Sequence, residues 1–162
     1  MKKILAISVI MIAFSAGVFA QATATATAVI VAPISISRTA DMSFGNIIAS
    51  VGGGTVVLVP AGTRTLTGVT SPSIAGTVTA ASFTVTGVSG ATYSITLPGS
   101  HTINSGTNSM TVNAFSSNPS GTGTLTGGTE VLNVGATLNV GAAQPAGTYT
   151  NAAGFTVTVN YN

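Results

Sequence analysis

The stretch VLNVGATLNVGA, from Val131 to Ala142, decides how the rest of the chain is read. Leu132, Val134, Ala136, Leu138, Val140 and Ala142 fall on one side of an extended backbone. Asn133, Gly135, Thr137, Asn139 and Gly141 fall on the other. An apolar side and a polar side alternating every residue is the signature of a half-buried strand. The two glycines mark bulges or places where another backbone comes close.

The same period recurs outward in both directions. Phe155, Val157, Val159 and Tyr161 alternate with Thr156, Thr158 and Asn160 at the C-terminal end. Burying those four contributes roughly 1.5–3 kcal/mol each before entropy is subtracted. Ser82 to Val88 turns Phe83 and Val85 inward, and Ala91 to Leu97 does the same with Tyr93, Ile95 and Leu97. Gly87 to Gly90 between them is expected to be a hairpin turn. Ser109 to Phe115 repeats the rule through Met110, Val112 and Ala114. Thr55 to Val59 and Arg64 to Leu66 flank a Pro60-Ala61-Gly62 turn, and Pro145-Ala146-Gly147 precedes Thr148-Tyr149-Thr150. Beyond residue 21 no long segment shows helical spacing. The expected fold is all-β, an antiparallel sandwich. A β-solenoid would need repeats of fixed length, and an outer-membrane barrel would need long strands with aromatic girdles. Neither pattern is present.

The N-terminus reads as a secretory signal peptide over residues 1–20. Lys2 and Lys3 precede the apolar run from Ile4 to Phe14, and Val18-Phe19-Ala20 supplies the cleavage site. The run is too short for a comfortable membrane span. No cysteine follows it, so a lipid anchor at the site is excluded by chemistry. The reading therefore places the mature chain outside the cytoplasm: in the periplasm, on the cell surface or in the medium. It makes residues 21–32 an extended segment and residues 33–162 a single sandwich domain, with no membrane span in the mature chain.

Charged residues make up only 4% of the chain, and the formal net charge of +2 comes from the leader's two lysines. Beyond residue 20 the charges are Arg38, Arg64, Asp41 and Glu130, with His101 the single imidazole. A chain so poor in basic residues gives no basis for nucleic-acid binding. Near-zero net charge favours association instead. No cysteine is available for a disulfide, so packing and strand pairing must carry the stability.

The same scarcity argues against an enzyme. A serine or threonine nucleophile needs a base, and His101 is the sole candidate. It follows Pro98-Gly99-Ser100, which reads as a turn, so a solvated loop histidine is expected. Asp41 and Glu130 lie too far apart in sequence to suggest a paired-carboxylate site, and Arg38 is spaced to pair with Asp41. There is no His/Cys cluster for a metal and no glycine loop for a phosphate-bearing cofactor. No catalytic, metal-binding or cofactor-binding residues are assigned.

Gln21 is followed by three Ala-Thr pairs and then Ala28-Val29-Ile30-Val31. Ala22, Ala24, Ala26, Ala28 and Ile30 share one face. The segment suits an ordinary first strand or a tail leading into one. It also suits a donor strand that pairs with the sheet edge of a neighbouring copy. In that second role Phe155, Val157, Val159 and Tyr161 line the groove that accepts it, and the product is a homo-oligomer or filament.

Several blocks together resemble a bacterial family, domain of unknown function 4402. They are Pro33-Ile34-Ser35-Ile36 leading to Met42-Ser43-Phe44-Gly45-Asn46-Ile47, then Phe83 to Gly87 with Ala91 to Pro98. Val134 to Leu138, Pro145 to Tyr149 and Phe155 to Tyr161 complete them. A weaker likeness is to chaperone-usher pilins and spore coat protein U, through the Phe-Gly block, the Gly-Thr-Tyr turn and the penultimate aromatic Tyr161. That likeness implies an immunoglobulin-like sandwich, export to the periplasm and strand exchange into a fibre. Pilins commonly carry a disulfide, and this chain has none. The functional expectation is a secreted structural or surface protein, such as a fimbrial subunit. The alternative is an adhesive or carbohydrate-binding module, which would need exposed aromatics to stack on sugar rings.

Overall fold

The structure is a computed structural model that describes residues 20–162. The signal-peptide reading lies, all but its last residue, outside the described residues. The chain divides into two units, one ending at Ile30 and the other running from Val31 to Asn162. In the first, residues 20–30 hold no secondary structure and every one is exposed.

The second unit is antiparallel β throughout. Its strands are β1 (Ser35–Ala40), β2 (Ser43–Phe44), β3 (Gly54–Leu58), β4 (Arg64–Thr67), β5 (Val78–Thr79) and β6 (Ala81–Thr86). They continue as β7 (Thr92–Thr96), β8 (Ser100–Ser105), β9 (Asn108–Asn118), β10 (Thr122–Thr124), β11 (Thr129–Val140) and β12 (Thr158–Tyr161). Valine and threonine fill these strands because branched side chains lose little on a pleated surface.

β11 is the spine of the seven-stranded sheet. Its first half pairs with β6, through Leu132↔Phe83 and Val134↔Ala81, and β1 lies beyond β6. Its second half pairs with β3 on the same flank, through Ala136↔Leu58 and Leu138↔Val56, and β4 lies beyond β3. β9 runs along the opposite flank from Asn133 to Asn139, with β8 outside it. Gly135 sits at the handover from β6 to β3. A β-carbon there would strike the Leu58 carbonyl oxygen, so this glycine is a site of close backbone approach.

Two cores lie along this spine. The first joins Phe83, Val85, Leu132 and Val134 to Tyr93 and Val159 of a three-stranded sheet ordered β10-β7-β12, and to Val157 just before β12. This is the sandwich proper. The second gathers Val56, Val112, Ala136, Leu138 and Val140 beneath Val69, Phe44 and Ile47. Its cover is irregular chain and the short β2–β5 pair. Met42 and Phe115 touch both cores.

Several expectations need correction. Gly87 to Gly90 is no hairpin, because β6 and β7 belong to different sheets. Phe83 and Tyr93 face each other across the sandwich, so the connection must arch between layers. Its amides bond elsewhere, Gly87 to the Gly128 carbonyl and Gly90 to the Leu125 carbonyl. Ala114 does not point inward. The β9 register slips between Asn113 and Ser116, Ala114 takes φ 47° and is exposed, and Phe115 occupies the inward place. β11 begins and ends two residues earlier than its periodicity indicates, leaving Ala142 exposed in a turn. The last strand is assigned only from Thr158, although exposure alternates from Phe155 onward. His101 lies within β8, a strand that the sequence reading left as a turn. The β3–β4 turn at Pro60-Ala61-Gly62 is found as expected, closed by bonds between Val59 and Thr63 and between Gly62 and Val59.

Candidate functional site: a groove beside an open sheet edge

β12 pairs with β7 on one flank and with no described residue on the other. The Asn162 amide donates to the Thr92 carbonyl at 3.2 Å. In an antiparallel ladder hydrogen-bonded pairs recur every second residue, so Asn160 and Thr158 also turn their main chains toward β7. Val159 and Tyr161 turn theirs to the open side, where no described residue pairs with them. Their side chains serve the fold. Val157 and Val159 are buried in the first core. The Tyr161 hydroxyl accepts from the Val88 amide at 2.7 Å and donates to the Ala32 carbonyl at 3.1 Å, which clasps the start of the domain to its end.

Upstream of β12 the chain forms one wall of a groove. Two cavities, of about 840 Å³ and 410 Å³, share Ser43, Phe44, Ile103 and Tyr149 and so run into one another. Residues from Arg38 to Ala49 form one wall, and residues from Gln144 to Phe155 the other. Ile103 of β8, Met110 and Val112 of β9, and Leu138 and Val140 of β11 form an apolar floor. Both walls are chain with little strand pairing, held mainly at their outer margins. Ile48 bridges Thr70, and Thr150 bridges Asn104. The Arg64 guanidinium pins the first wall by donating to the Phe44 carbonyl and, at 2.8 Å, to Ser71 Oγ. Gly45 follows at φ 70° against the Ala75 carbonyl, where a β-carbon has no room. On the second wall Gln144 Nε2 donates to the Tyr149 hydroxyl at 2.9 Å, and that hydroxyl donates to the Pro145 carbonyl at 2.8 Å.

The wide end of the groove carries no charged residue. The narrow end holds Arg38, Asp41 and His101. Arg38 Nη1 and Asp41 Oδ1 are 2.6 Å apart, an exposed pair worth only about 0–1 kcal/mol. His101 is half-buried with its ring edge-on to Phe155, centroids 6.1 Å apart. This replaces the expected solvated loop histidine. No carboxylate oxygen lies within 4.0 Å of its ring, and among the described residues it has no hydrogen-bond partner. Glu130 is elsewhere, accepting from the Tyr93 hydroxyl and the Thr124 amide, each at 2.8 Å. Burial, then the hydrogen bond to Glu130 and its charge, push the Tyr93 hydroxyl well above its ordinary pKa. A serine–histidine–acid relay is therefore not assembled around this imidazole.

Of the four residues expected in an acceptor groove, Phe155 borders the narrow end of this cavity, its ring 5.0 Å from Phe115 and edge-on to Phe83 at 6.4 Å. Val157 and Val159 lie in the adjoining core, and Tyr161 is the clasp. Ala22, Ala24, Ala26, Ala28 and Ile30 belong to the exposed, strandless segment, and Ile30 is 97% exposed. The sequence reading missed the two walls. Their signals were Phe44-Gly45 and the Gly-Thr-Tyr turn, which carry the family likeness but no period.

Fold and site together define an antiparallel β-sandwich protein whose second layer is interrupted by a groove with an apolar floor and partly polar walls. The chain belongs to the family described as Domain of unknown function (DUF4402), whose model matches residues 34–161. Comparison with curated proteins and with solved structures gave no match.

Proposed function

We propose that this chain is an exported structural or surface protein that assembles by strand pairing. Residues 22–31 of one copy lie in the groove of the next, beside the chain that runs from Phe155 into β12. The observation that carries this reading is a groove with an apolar floor whose second wall ends at Phe155, three residues before β12, an edge strand whose Val159 and Tyr161 main chains have no partner among the described residues. A strand entering such a site gains main-chain hydrogen bonds and fills shallow pockets with alternate side chains. Alanines bury little area, so backbone bonding supplies most of the affinity, and Ile30, on the same face as the alanines, supplies the apolar anchor. A contiguous exposed run of three branched apolar residues, Val29 to Val31, is itself a mark of an interaction segment. The signal-peptide pattern and the near-zero charge of residues 21–162 support export and association. The weaker pilin likeness supports an immunoglobulin-like strand order and a fimbrial end product.

Deleting residues 21–31 tests the reading. The full mature chain is expected to form oligomers or filaments by size exclusion and negative-stain microscopy, and the truncated chain to stay monomeric. Unchanged oligomers in the truncated protein would overturn it. A second reading, a neutral-glycan module, draws on the uncharged wide end with Tyr149, Asn46 and Gln144 on its walls. A glycan array without binding removes that reading.

A further inference from the structure

We infer that His101 makes filling of the groove acid-sensitive, so that assembly weakens as this imidazole takes up a proton. The inference rests on the strand-pairing reading and concerns how the same site is regulated. His101 is the chain's single imidazole. It stands on β8 opposite Val112, on the floor of the narrow end. The groups facing it from each packed element are few. Arg38 comes from β1 and Asp41 from the link between β1 and β2, and they are bound to each other. Tyr149 and Phe155 come from the opposite wall, and Ile103 and Val112 from the floor.

An imidazolium at this place has no carboxylate of its own. Asp41 is engaged by Arg38, and Glu130 is held by Tyr93 and Thr124. Its ring is only half-buried, so water has access to it in the open groove. A strand laid along the floor displaces that water and sets apolar side chains against the ring. Loss of solvation disfavours the charged form. The filled groove therefore binds fewer protons than the empty one. By linkage, lowering the pH through the imidazole range shifts the equilibrium toward the empty groove. One proton per site limits the effect to about tenfold in dissociation constant per pH unit.

Sedimentation velocity on the chain from Gln21 onward, between about pH 5 and pH 8, tests this. Circular dichroism at each pH verifies that the fold persists. The wild-type dissociation constant is expected to rise as the pH falls across this range, by at most about tenfold per unit. His101→Gln is expected to show no such rise. His101→Phe keeps a ring against Phe155, cannot titrate, and is expected to assemble equally at all pH values. A flat wild-type profile overturns the inference and leaves strand pairing standing. So does an acid response that persists in both variants. Absence of assembly at every pH overturns the strand-pairing reading and the inference with it.

Discussion

The two halves of β11 have the same pattern and different fates. Leu132 and Val134 in the first half and Leu138 and Val140 in the second alternate identically with polar residues, and all four are buried. The first pair is covered by a sheet, through Tyr93 and Val159, and by Val157 just before β12. The second pair is covered by irregular chain and lines the groove floor. Burial of a residue thus says little about what covers it. One half of the strand is closed and carries stability. The other is closed only in part, and the remaining gap is the site where the proposed strand would enter.

The largest expected effect separates the halves directly. Leu132→Ala leaves a cavity walled by two sheets that cannot collapse onto it, and is expected to cost about 4 kcal/mol. Leu138→Ala enlarges a space that already borders the groove beneath irregular chain, and is expected to cost about 2 kcal/mol. Urea denaturation of both variants measures the difference. Equal losses would mean that the second core is as tightly closed as the first.

A smaller effect belongs to the closed half alone. Tyr93 reaches from the small sheet to Glu130 on β11, and its hydroxyl pKa is raised. In the unfolded chain the phenol ionises near pH 10, whereas in the folded chain it keeps its proton. Above that pH the folded state binds more protons than the unfolded one, so stability falls as pH rises, by about 1.4 kcal/mol per unit. Tyr93→Phe is expected to cost about 1.5–3 kcal/mol at neutral pH, the worth of a hydrogen bond to a charged acceptor. It should also lose the part of the alkaline decline that Tyr93 contributes. Denaturation midpoints from about pH 8 to 11 check both expectations.

How much of this was legible in the sequence follows from what period-two patterning records. It records which residues leave the solvent, and so Leu132 to Val140, Phe83, Val85, Tyr93 and Val157 were readable as core. It does not record which sheet a strand joins. Gly87 to Gly90 has hairpin composition, yet the chain arches between layers because Phe83 and Tyr93 must face each other across one core. Nor does it record walls built from chain with little strand pairing. Phe44 and Tyr149 lie between glycines, prolines and hydroxyl residues, and their positions depend on Arg64 and Gln144, partners distant in sequence or hidden in a turn. His101 was misread for a related reason. Pro98-Gly99-Ser100 signals a turn, but β8 pairs along its whole length with β9, and that pairing outweighs the local composition.

The smallest expected effect lies at the junction between the halves. Ala114 sits where β9 slips by one residue against β11, and its φ of 47° is in the left-handed region. The slip lets Met110 and Val112 face the second core while Phe115 touches both. Holding an L-residue there costs roughly 1–2 kcal/mol. Glycine is free of that cost but loses about 0.5–1 kcal/mol more entropy on folding. The balance predicts that Ala114→Gly stabilises the domain by about 0.5 kcal/mol, whereas Ala114→Val, branched at the β-carbon, destabilises it by about 1–2 kcal/mol. Urea midpoints measure both. A destabilising glycine would show that the slip is held by packing of Phe115 and carries no backbone strain, and the junction would then belong to the closed half of the molecule.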